Sequence, residues 1–194
     1  MKPLTQGSLI GYAEYEQQRD EYRRRIIALK RIRRLSIGPK VTLMFENRET
    51  VQFQIQEMVR AERIVDPAKV QEELDIYNAL LPASRELSAT LFIEITDSAD
   101  VKRELDAFQG IDRGQTLSVE AGSHRSFATF EGGHSKEEKI SAVHFVRFPL
   151  SEEMVAELRR SDGPVRIRIE HVHYQADALV PEALRTAWLA DLSD

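Results

Sequence analysis

Histidine placement is the pattern in this chain best suited to chemistry. In the run Ile140 to Phe148, His144 falls on the side of Ala142, Val146 and Phe148; in the run Val165 to His173, His171 and His173 prolong the side of Val165, Ile167 and Ile169. Side chains two apart on a strand point the same way. If the two strands are neighbours in register, three imidazoles converge at the end of an apolar face. With a carboxylate beside them they form a ligand set for one iron or zinc ion. The competing reading makes His144 a hydrogen-bonded core residue and leaves His171 and His173 beyond the strand end, at the surface.

Glu57 and Glu62 are the carboxylates that would complete such a set. Both lie in a helical run from Asn47 to about Ile64, Glu62 within the stripe of Val51, Ile55 and Met58, and Glu57 toward Phe53 and Ile64 with Arg60 one turn away. A buried carboxylate needs a partner. Arg60, Arg63 or Arg48 would supply a structural ion pair; the alternative is a metal-binding or proton-carrying glutamate, with Glu46 a third acid of this kind.

A third pattern is basic. Arg23, Arg24, Arg25, Lys30, Arg31, Arg33 and Arg34 put seven positive charges into twelve residues with no acid among them. Such a face suits phosphates, but Tyr22 is the only aromatic near it and the rest of the chain is acidic. Nucleic acid is therefore the weaker expectation, and a protein-docking face built from Arg23, Arg24, Arg31, Arg33 and Arg34, with Arg60, is the stronger. Gly132-Gly133-His134-Ser135-Lys136 lacks the strand-to-helix context of a phosphate loop and reads as a hairpin loop. No G-x-S-x-G elbow and no H-E-x-x-H run is present. With no cysteine in 194 residues, thiolate ligation, thiol nucleophiles and cysteine-held iron-sulfur clusters are excluded.

The elements that must position these groups read as mixed α and β. Tyr15, Tyr22, Ile26 and Leu29 make one helical stripe between Tyr12 and about Arg34, and Gly38-Pro39 turns the chain. Val41 to Phe45 is a short strand. The helix after Asn47 carries apolar residues on two sides, which predicts a buried central helix. Asp66-Pro67 starts another helix that runs toward Pro82. Leu87 to Ile95 is a strand, and Asp97 or Ser98 caps a helix through Val101, Leu105 and Phe108. Thr116 to Glu120, Ser126 to Phe130 and Ile140 to Phe148 suggest an antiparallel meander. Ser151 caps a helix that Asp162-Gly163-Pro164 breaks, and Pro181 to Leu192 is a last amphipathic helix. The expected class is α+β, a mostly antiparallel sheet with flanking helices.

A chain of this length with 42% hydrophobic residues has the size of one domain and buries about 70% of its unfolded surface. The 1–194 unit reads as one domain. Residues 1–40 carry ten Lys or Arg against four Asp or Glu, net +6, so the remainder carries −11. A basic helical head over about 1–40 is thus expected to pack on an acidic body or to meet an anionic partner. No apolar run is long enough for a membrane span or a secretory signal, and the expected location is the cytoplasm.

Ile27-Ala28-Leu29-Lys30 through Arg33-Arg34, Gly38-Pro39, Phe45-Glu46-Asn47-Arg48, the long run Phe53 to Ile64, Gln71-Glu72-Glu73-Leu74-Asp75, Ser141 to Phe145 and Ala190-Asp191-Leu192 resemble an uncharacterised bacterial family, domain-of-unknown-function family 3501. The family brings no established activity. Its genes typically neighbour those for a rubrerythrin and a heterodisulfide-reductase-type iron-sulfur protein, which implies an iron-dependent redox or oxidative-stress module. The resemblance matches His171 to a family histidine and leaves His173 without a counterpart, so His144 and His171 become the better pair. The expected function is that of an accessory protein docking to a redox partner, through the basic first helix or the region of Glu57 to Glu62. The rival is a mononuclear metal protein or enzyme.

Overall fold

The structure is a computed structural model and describes residues 1–96, 100–131, 140–160 and 163–193. Two antiparallel sheets face each other, with helices on the outside and at one end. The first sheet has the order β1–β2–β3–β7–β6 and is built from β1 (Arg34–Ile37), β2 (Val41–Phe45), β3 (Glu86–Ile93), β7 (Val143–Pro149) and β6 (Thr129–Phe130). The second has the order β5–β4–β8–β9, from β5 (His124–Phe127), β4 (Leu117–Ala121), β8 (Val165–His171) and β9 (Tyr174–Leu179). The α+β class expected from the sequence is the class observed.

Alternation decides which side of each strand is buried. Val41, Leu43 and Phe45 of β2, Leu87, Ala89 and Leu91 of β3, and Val146 and Phe148 of β7 meet Leu117, Val119, Val165, Ile167 and Ile169 of the second sheet in one apolar core. The opposite face of the first sheet carries Thr42, Thr90, Phe145 and Arg147. Against it stand α2 (Arg48–Ala61) and α3 (Pro67–Asn78), with a second core of Leu4, Val51, Ile55, Val59, Leu74, Leu80 and Leu81 that Phe145 joins. The long α1 (Tyr12–Arg33) lies along α2 and α6 (Glu182–Asp191). α5 (Glu152–Arg159) and α6 send Met154, Leu158, Leu184 and Trp188 into the inter-sheet core, while the short α4 is Val101–Asp106.

Local signals hold where they were strongest. Asn47 caps α2 by accepting from the Thr50 amide, Asp66 caps α3 with Pro67 at its first position, and Ser151 caps α5 through the Met154 amide. The proposed cap at Asp97 or Ser98, the Gly132–Lys136 loop and Asp162 lie outside the described residues.

Three expectations need correction. The run Thr116 to Phe148 is not a meander in one sheet: β5 belongs to the second sheet and β6 to the first, so the chain passes between sheets at Ala128, whose amide still bonds to the Leu117 carbonyl. A strand, β1, follows α1 directly and forms a hairpin with β2 around Gly38. There Gly38 has φ of 67°, and a Cβ would come within 2.5 Å of the Tyr174 hydroxyl. That hydroxyl donates to the Ile37 carbonyl at 2.6 Å and accepts from the Lys40 amide at 3.2 Å, tying β9 to β1 across the sheet edges. Third, β9 itself returns along β8 after a turn at Val172-His173, where the sequence showed no strand.

Candidate functional site

The helices α1 and α2 are joined by charge. The Glu57 carboxylate accepts from Arg19 through both oxygens, at 2.8 and 2.7 Å, and from the Tyr15 hydroxyl at 2.8 Å. One turn on, Arg60 pairs with Glu16 at 2.6 Å. Glu57 therefore has a partner, as burial requires, but it is Arg19 and not Arg48, Arg60 or Arg63. The Arg19 hydrogen bonds, followed by that of Tyr15, hold the Glu57 carboxyl below the usual carboxylate range despite partial burial. Burial, followed by the bond to Glu57, raises the Tyr15 phenol well above its ordinary value.

A carboxyl whose folded pKa is depressed contributes stability above its unfolded value of about 4.3, and that contribution is lost as pH falls through the folded value. Urea unfolding should thus show wild type losing about 1 kcal/mol more than Glu57→Gln between neutral pH and pH values below about 4. Equal losses in the two proteins would remove the assignment.

Glu62 is not in an apolar stripe. The last turn of α2 ends before it, and Glu62 is an exposed C-cap residue. It borders a surface hollow with Asp66, Glu72 and Glu73, where burial and then the nearby Glu62 and Glu72 charges raise the Glu73 carboxyl.

The histidines do not lie on neighbouring strands. His144 and His171 are on different sheets, so the neighbouring-strand premise fails. His144 is buried on the inner face of β7, with Nε2 2.8 Å from the Ser141 carbonyl and its ring edge-on to Phe130. His171 ends β8, also buried; its Nε2 donates to the Gln109 carbonyl at 3.1 Å and its Nδ1 accepts from the His173 amide at 3.4 Å. Both ring nitrogens of His171 are thus engaged by backbone groups. His173 sits in the exposed turn between β8 and β9 and does not continue the inner face. Glu57 and Glu46 lie on the helix side of the first sheet, behind the face that His144 occupies. Among the described residues no group of three or more His, Cys, Asp or Glu is placed to hold a metal ion.

The basic run divides. Arg33 is 2% exposed and forms a two-point ion pair with Asp191 of α6, both bonds 2.7 Å, so it is an internal strut and not part of a docking face. Arg34 pairs with Glu94 across the first sheet, and Arg60 is taken by Glu16. Arg25 stacks over Tyr22 at 4.8 Å with Glu49 3.7 Å away, and Lys30 sits over Phe53 at 5.7 Å. Arg23, Arg24 and Arg31 remain exposed, with no ion-pair partner among the described residues; only the Arg24 Nε bonds locally, to the Asp20 carbonyl at 3.1 Å. Ile27, 38% exposed, lies between them on the helix surface. At 100° per residue, Arg23, Arg24, Ile27 and Arg31 form one face, directed away from the stripe of Tyr15, Ile26 and Arg33 that α1 buries.

Sequence reasoning underrated one buried polar centre. Glu46, 2% exposed, accepts from the hydroxyls of Thr50 at 2.6 Å and Thr90 at 2.9 Å and from the Gln54 amide at 3.3 Å. It shares the wall of a narrow cavity with Ser88, Trp188 and Asp191. The Thr50 and Gln54 spacing, four and eight residues after Glu46, was the available signal.

An antiparallel two-sheet α+β protein with an exposed arginine face on its first helix is the class that fold and site define. The chain belongs to the family described as protein of unknown function (DUF3501), whose model matches residues 3–192. It is also similar to a novel protein of unknown function from Burkholderia pseudomallei K96243, known from a crystal structure. The two are 32% identical with a TM-score of 0.90, over 98% of this chain and 100% of that one. No curated protein matches the sequence.

Proposed function

We propose that the chain is an accessory protein that docks an acidic partner on the α1 face of Arg23, Arg24, Ile27 and Arg31. The observation that carries this is the contrast within the basic run. Residues 1–40 contribute Arg19, Arg25, Arg33, Arg34 and Lys40 to ion pairs with carboxylates elsewhere in the chain, while these three guanidiniums surround an exposed isoleucine without an ion-pair partner among the described residues. Rim charges around an apolar contact raise association rates and select partners. The redox setting comes from the family's genetic company: a rubrerythrin or a heterodisulfide-reductase-type iron-sulfur protein would be the docked partner, with the iron chemistry residing in it.

Co-purification of the untagged protein from its native host tests this, with Arg23→Glu/Arg24→Glu/Arg31→Glu as the comparison. Wild type should recover an acidic iron protein and the variant at least about tenfold less, the loss of several charged contacts at one interface. Equal recovery by both proteins, or recovery of nucleic acid with a steep salt dependence in place of a protein, would overturn it. This chain itself, separated from the recovered partner, should contain far less than one transition-metal ion per molecule.

A further inference from the structure

A different face of α1 is complementary to itself. Glu14, Gln18, Glu21, Arg25, Ala28 and Ile32 follow one another at spacings of 4, 3, 4, 3 and 4, the heptad spacing that lines one side of a helix up for a helical partner. All six are exposed, Ile32 at 45%. The face lies roughly a third of a turn from the docking arginines. A groove of about 510 Å³ runs along it, walled by Gln18, Glu21, Tyr22, Arg24 and Arg25.

We infer that this face pairs antiparallel with the same face of a second copy, about a two-fold axis level with Arg23. The order of charge carries the inference: acids occupy the N-terminal half of the seam and the cation and apolar residues the C-terminal half. Reversing one copy sets Glu21 against Arg25 of the partner subunit, and by symmetry the reverse pair forms too, so that no like charges meet. Gln18 then faces the small Ala28, and Ile32 lies against the methylenes of Glu14. Antiparallel alignment also opposes the two helix dipoles favourably. Arg23 itself points to the far side of the helix, so the axis does not bring two guanidiniums together. Among the described residues Arg25 is held in its own chain only by Tyr22 and by Glu49 at 3.7 Å, both sides of that ion pair being more than half exposed; exchange for Glu21 of the partner subunit costs little.

One helix pair covers less surface than a stable dimer requires, which places this contact in the small, transient class. It should appear as a concentration-dependent dimer at low salt that weakens as salt is raised. Sedimentation velocity on the full chain reads it. Glu21→Arg and Arg25→Glu, each of which sets like charges in contact twice, should raise the dissociation constant about tenfold or more. The double charge swap Glu21→Arg/Arg25→Glu should return it to near the wild-type value, an outcome that a purely structural role of either residue does not produce. Monomers at every concentration in low salt, or a double variant no better than the singles, would overturn the inference. Arg23→Glu and Arg31→Glu should leave the dimer within about twofold, so that loss of partner docking and loss of pairing are read separately.

Discussion

Replacing Asp191 with alanine should lower the unfolding free energy by about 3–5 kcal/mol, because it leaves the Arg33 guanidinium charged, buried and without its two-point partner. Arg33 is 2% exposed, and the Asp191 side chain only 9%. Among the described residues the Arg33 Nε already lacks a hydrogen-bond partner, so loss of the carboxylate adds to a buried donor that is unmet from the start. For a domain whose total stability is about 5–15 kcal/mol, such a loss approaches unfolding at physiological temperature. The double variant Arg33→Met/Asp191→Leu should recover most of the loss, since removing both charges removes the desolvation cost with them. Urea denaturation of wild type, both singles and the double closes the cycle; additive effects would show that the pair is not coupled. The result also separates two roles within one basic run: Arg33→Met should act through stability, Arg31→Glu through docking alone.

That division was invisible to periodicity. The alternation of charge along Arg23 to Arg34 says which residues share a helix face, but the acid that meets each one comes from far along the chain. Arg33 finds Asp191, and Glu57 finds Arg19 on another helix. Caps were legible because their chemistry is local: Asn47 with Thr50, Asp66 with Pro67, Ser151 with Met154. The two missed strands lacked local signals. β1 has four residues, and its two inward positions, Leu35 and Ile37, follow a long helical run without a break. β9 reads Tyr-Gln-Ala-Asp-Ala-Leu; after Tyr174 its inward positions are alanines, weak strand formers, and its one large aliphatic residue, Leu179, is 55% exposed.

The premise that set the histidines on adjacent strands failed at those same strands. Counting His173 onto the face of Ile167 and Ile169 assumed an unbroken strand, whereas Val172-His173 is a tight turn pairing His171 with Tyr174. Placing His144 beside His171 assumed one sheet, whereas the continuous β-like run through Ala128 conceals a change of sheet. Inward orientation was read correctly for both residues, and both are buried. Face is encoded every second residue, but strand order is a tertiary property, and a metal site needs both.

The other large effect is expected at Trp188. It is fully buried where α6 meets the inter-sheet core, with its ring 4.6 Å from that of Phe45 and edge-on to it. Trp188→Ala should cost about 3–5 kcal/mol, the transfer of a large ring plus the void it leaves. The informative comparison is Trp188→Phe. The indole Nε1–H of Trp188 is buried without a hydrogen-bond partner among the described residues, although acids line the narrow cavity beside it, and a buried donor left unmatched costs about 1–3 kcal/mol. Phenylalanine removes that donor while keeping most of the apolar contact with Phe45, so the two terms offset. Trp188→Phe should then unfold within about 1 kcal/mol of wild type in urea. A loss approaching that of Trp188→Ala would mean that the indole nitrogen is satisfied in solution, by a water admitted beside Glu46 and Ser88, and the cavity would be a hydrated polar site and not a dry one.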